Sequence, residues 1–78
     1  MRPTLMPMPL AMVEAGRLVR LVAVNAGRGL RSRLVAMGFM PGTELEVIRN
    51  NSHGPLIVAV RGCRVMLGRG MAQRMIVE

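Results

Sequence analysis

The apolar positions of this chain change their spacing along its length, and each change marks an element. Residues 17–24, RLVRLVAV, are apolar and β-branched enough for a strand, with Arg17, Val19, Leu21 and Ala23 on one face and Leu18, Arg20, Val22 and Val24 on the other. Such two-sided apolarity predicts a strand covered on both faces. Residues 25–29, NAGRG, read as a loop. From Leu30 the period lengthens: Leu30, Leu34 and Met37 fall at i, i+4 and i+7, which predicts one helical stripe, with Arg31 and Ser32 pointing away. A helix of about two turns is unstable alone, so tertiary packing must hold it.

The next residues are dense with punctuation. Gly38 stands where a left-handed residue closes a helix, and glycine takes that conformation without a Cβ penalty. If Gly38 is the residue just past the helix, Phe39 and Leu34 are the pair whose apolar contact accompanies a Schellman stop. Pro41 and Gly42 suit the two central positions of a type II turn. Leu45 and Val47 then alternate with Glu44 and Glu46, a half-buried strand. Downstream, Gly54 precedes PLIVAV (55–60), a strand opened by Pro55. Arg61 and Gly62 form a tight turn into CRVMLG (63–68), RGMAQ (69–73) is a short connection of about one helical turn, and RMIVE (74–78) closes with Met75 and Val77 on one face. Upstream, LAMVEAG (10–16) predicts a short helical turn ending at Gly16, and residues 1–9, with three prolines, a flexible tail. The fold class predicted is mainly β: a small, partly open barrel of about five strands with one short helix, over residues 10–78.

Composition narrows the function. At 78 residues and 51% hydrophobic the chain makes one small domain, and with Phe39 the sole aromatic its core must be aliphatic, with methionine as adaptable filling. The single Cys63 excludes an intramolecular disulfide, and the prolines interrupt the apolar N-terminus before it can form a signal-peptide core. No run approaches the roughly 18 apolar residues of a membrane span. A cytoplasmic, non-membrane-spanning chain is expected. The net charge of +7 favours an anionic partner, although all 11 basic residues are arginine, which a GC-rich coding sequence would also produce.

Catalysis finds no footing: one His, no Asp and four scattered Glu assemble no nucleophile–base pair. No cofactor is called for. His53, Cys63 and nine Met raise a metal site, but thiolate and thioether suit soft Cu(I) rather than Fe(II), and no paired-ligand spacing appears. Cys63 alternates with Val65 and Leu67 and is expected to be a small buried residue, His53 a solvated loop residue, and no metal ligand is assigned.

The stretch RLVAMGFMPGTELEVI, followed by GPLIVAVRGCRVMLGRGMAQRMIV, resembles the FeoA (ferrous iron transport protein A) family. The positions that carry the resemblance are Arg33, Leu34, Gly38, Phe39, Pro41, Gly42, Gly54, Pro55, Leu56, Gly62, Leu67, Ala72 and Val77, most of them structural. The resemblance implies an SH3-like barrel in the cytoplasm, transition-metal binding only as a family-level property, and a role as a non-catalytic accessory of ferrous iron uptake. The implied partner is FeoB, a membrane iron transporter with a cytoplasmic GTP-binding region, which the domain would help assemble or modulate; no small-molecule substrate is implied. From the residues themselves, Met40 is expected to project from the turn that follows Phe39, and Arg31 to add guiding charge. The alternative is a basic barrel binding RNA or single-stranded nucleic acid, which ranks second because the arginines are dispersed and Phe39 alone could stack on a base.

Overall fold

The structure, a computed structural model, describes residues 6–51 and 53–78. Six strands are present among them: β1 (Met8–Pro9), β2 (Leu18–Val24), β3 (Glu44–Asn50), β4 (Leu56–Val60), β5 (Cys63–Leu67) and β6 (Met75–Val77). A 3-10 turn spans Leu10–Met12, and two helices, α1 (Arg28–Ala36) and α2 (Arg69–Gln73), complete the described residues. All pairings are antiparallel, in the order β1-β6-β2-β3-β4-β5, so the sheet is not closed and β1 and β5 are its edges.

β2 curls the sheet. Its first half pairs with β3, through Leu18 with Glu46 and Arg20 with Glu44, and its second half pairs with β6, with a bulge between Leu21 and Ala23. A bulge bends its strand and sharpens the twist, and a second one between Val47 and Arg49 does the same for β3 against β4. The inward faces thus surround one core, aliphatic but for Phe39, in which Phe39, Leu21, Leu45, Val58 and Met75 are nearly inaccessible. The alternation read from the sequence sets that core: Leu45 and Val47 are buried between exposed Glu44 and Glu46, and Leu56, Val58 and Val60 point inward along β4.

Several expectations are corrected. β2 is covered on one face, not two: Val19 and Leu21 are buried, but Leu18 and Val22 are exposed, because the helices bury only Leu34 and Ala72 and supply no second layer. α1 begins two residues before Leu30, on Gly27 as its N-cap, so Arg28 and Gly29 are helix rather than loop. Met37 leaves the predicted stripe because the helix ends at Ala36; as the C-cap it is exposed. Cys63 keeps its alternation but not its depth: it opens the edge strand beside the hairpin turn and is exposed. Gly16 does not cap a helix. It holds φ +92° in a turn closed by Arg17 N–H to Glu14 C=O, and its own N–H donates to Val47 C=O at 2.7 Å. Residues 8 and 9 take part in the sheet, Met8 paired with Val77 and Pro9 with Ile76. Residues 1–5 of the expected tail lie outside the described residues.

Candidate functional site

The site is built on the end of α1. Gly38 has φ +99° and donates to Val35 C=O at 3.0 Å, while Phe39 N–H reaches back to Leu34 C=O at 2.8 Å. Those two bonds make a Schellman stop, and both Leu34 and Phe39 are buried in the core. The chain then turns: Thr43 N–H donates to Met40 C=O at 2.9 Å with Gly42 at φ +92° in the second central position. The turn is pinned to the sheet from both sides, by Gly42 N–H to Leu21 C=O at 2.7 Å and Leu21 N–H to Thr43 C=O at 2.9 Å. Met40 follows the buried Phe39 on this rigid base and is 37% exposed.

A shallow groove runs beside the turn, lined by residues 40–44 together with Arg20 and Arg61. Arg20 and Glu44 face each other across the β2–β3 ladder at 3.6 Å, each more than half exposed, a surface pair of little energetic consequence. Arg61 arrives from the far side of the sequence. It and Gly62 form the two-residue turn between β4 and β5, with Val60 paired to Cys63 and both turn residues at positive φ. The Arg61 Cδ lies 3.6 Å from the point a Cβ on Gly38 would occupy, so the hairpin turn and the helix stop meet.

Arg31 is exposed on α1 and shares a separate hollow with Arg28, Ser32 and Val35, the successive positions of one helix face. Met40 and Arg31 therefore line different hollows. Gly54 and Pro55 belong to neither. Gly54 C=O accepts from Arg69 Nε at 3.1 Å, within a cluster the sequence does not reveal. There Arg69 also donates to Asn50 Oδ1 at 2.7 Å and to Asn51 C=O, and Asn50 Nδ2 donates to Ala11 C=O at 3.0 Å and Val13 C=O at 2.7 Å. This half-buried network ties the 3-10 turn, the end of β3 and the start of α2 together. Sequence reasoning missed it because Arg69 lies 19 residues from Asn50 and nothing local couples them. It missed Arg61 as a groove residue too, although an arginine at the first position of a two-residue hairpin turn is itself an unusual choice.

His53 and Cys63 are exposed, and among the described residues no three His, Cys, Asp or Glu side chains converge to hold a metal ion. No helix among the described residues is long and apolar enough to cross a membrane.

Comparison with known proteins gives the family and the fold. A family profile described as FeoA domain matches residues 8–78. A Methanocaldococcus jannaschii protein named as an Fe(2+) transport protein A is 41% identical over 70 residues, which cover 90% of this chain and 84% of that protein. The crystal structure of an iron uptake regulatory protein (FeoA) superposes with a TM-score of 0.88 at 34% identity, over 94% of this chain and 97% of that one. A manganese-dependent transcriptional repressor superposes at 0.84 over 96% of this chain and 42% of its own, with 22% identity, a likeness of fold alone.

Proposed function

The chain belongs to the FeoA family of ferrous iron transport, and on that premise we propose that it is a non-catalytic cytoplasmic accessory that binds the cytoplasmic GTP-binding region of a FeoB-like transporter and modulates its assembly or activity. The observation that carries this reading is Met40: an exposed apolar side chain on a turn held by backbone hydrogen bonds to β2, next to a buried aromatic. The backbone under Met40 is already fixed, so docking has only the ordering of the side chain itself to offset, which favours an interface anchor at this position. Arg31 supports it from the neighbouring helix face as a charge that steers approach to an acidic surface. Iron is the transporter's cargo in this reading, and the scattered donor set of this chain favours no tight site of its own.

The test is ferrous iron uptake and co-purification with the transporter in Met40→Asp and Arg31→Glu variants whose melting temperatures match the parent. Loss of association with reduced uptake is the expected result. Normal association and uptake in both would place the contact elsewhere. Anaerobic calorimetry of the isolated chain with Fe(II) is expected to show no tight stoichiometric binding; a tight site abolished by His53→Ala or Cys63→Ser would reverse that part.

A further inference from the structure

Arg61 is the one non-glycine residue at positive φ among the described residues, at 52°. A hairpin turn with both central residues in that region is ordinarily built from Asn, Asp or Gly, which adopt it at low cost. Arginine has no such advantage, and a side chain held in an unfavourable backbone conformation calls for a reason. The reason is not an internal bond: no hydrogen bond or ion pair among the described residues engages its guanidinium. Nor is it a cap for α1, because the carbonyls of Arg33, Leu34 and Val35 already accept from the backbone N–H groups of Met37, Gly38 and Phe39. The side chain instead lies along Gly38, Cδ at 3.6 Å and Nε at 4.0 Å from the missing Cβ, and lines the groove beside the 40–43 turn.

The groove's charges give the partner's chemistry. Arg20 and Glu44 offset each other at 3.6 Å, which leaves Arg61 as the net charge beside the apolar wall of Met40 and Pro41. We propose that Arg61 is a further contact in the partner-binding site, where an acidic segment of the transporter's cytoplasmic region lays a carboxylate on Arg61 and an adjoining apolar side chain on Met40 and Pro41. This rests on the reading of that region as the partner. A guanidinium free of internal bonds meets a carboxylate through two parallel N–H donors, a geometry lysine lacks. A nucleic-acid strand fits worse, since no aromatic lines the groove for a base to stack on.

The experiment titrates the full chain with the cytoplasmic region of the transporter by calorimetry, at low and high salt. Arg61→Asn tolerates the positive φ and is expected to fold at least as well as the parent, yet to raise Kd roughly tenfold and flatten its salt dependence. Arg61→Gly serves the same purpose with the least demanding backbone, Arg61→Lys is expected to recover only part of the affinity, and Arg61→Glu to weaken binding furthest. Parent-like Kd in a folded Arg61→Asn or Arg61→Gly variant overturns the assignment while leaving the partner intact. Failure of the parent chain to bind the region at all overturns the partner reading, and this inference with it. RNA binding lost in those variants while transporter binding persists also overturns it, in favour of the nucleic-acid class.

Discussion

Two arginines of this molecule, one opening a helix and one in a hairpin turn, are used in opposite ways. Arg69, at the start of α2, spends its guanidinium on Gly54, Asn50 and Asn51, with Ala11 C=O at 3.5 Å, and through Asn50 it also fastens the 3-10 turn. Arg61, at the β4–β5 turn, has no bond to its guanidinium among the described residues and occupies a backbone conformation that arginine disfavours. The first is a structural clamp: its donors satisfy the carbonyls of Asn51 and Gly54 and the side-chain oxygen of Asn50. The second has unspent donors on a rigid turn, poised for something outside the chain. Charge on a small basic domain thus divides by satisfaction, and net charge alone does not distinguish the two kinds.

The difference is open to attack on several fronts, the largest effect first. Leu34 is the one fully buried residue of α1, and Leu34→Ala is expected to cost roughly 2–5 kcal/mol in denaturant unfolding, because little else holds the helix beside the groove. A loss below about 1 kcal/mol would show that the helix stop does not depend on the core. Arg69→Met should come next, at about 2–3 kcal/mol, since it leaves several half-buried acceptors without their charged donor while roughly keeping the side chain's bulk. Chemical denaturation checks it, and parent-like stability would erase the clamp side of the comparison. Gly38→Ala should destabilise by about 1–2 kcal/mol, opposite in sign to the same change inside a helix, because alanine resists φ +99° while Arg61 Cδ at 3.6 Å leaves room for the methyl itself. A raised melting temperature would contradict the Schellman stop. The smallest effect is the most pointed. Arg61→Asn should leave stability unchanged or raise it by a few tenths of a kcal/mol, reporting strain relieved at a residue that contributes no internal bond. A loss comparable to that of Arg69→Met would make the two arginines alike.

Much of the architecture was legible because its signals are local. The alternation of Leu45 and Val47 with Glu44 and Glu46, the inward set of Leu56, Val58 and Val60, and the order Leu34, Gly38, Phe39, Pro41, Gly42 each constrain a few adjacent residues, and steric rules turn them into strand, stop and turn without reference to the rest of the chain. Depth was not local. Cys63 and Met37 have the right period and the wrong exposure, because burial depends on which element lies opposite, and nothing covers the tip of an edge strand or the residue just past a helix. Leu18 and Val22 look like core in sequence and face outward, since no second layer packs on β2. The site divides the same way. The exposure of Met40 and Arg31 could be read from their neighbours, whereas the approach of Arg61 to Gly38, 23 residues earlier in the chain, and the grip of Arg69 on Asn50 exist only after the sheet has curled. Sequence by itself determined the elements and their punctuation, which follow from backbone sterics and apolar period. The tertiary structure alone decided which arginine is spent and which is free, because satisfying a guanidinium requires acceptors from distant segments brought within about 3 Å in fixed geometry.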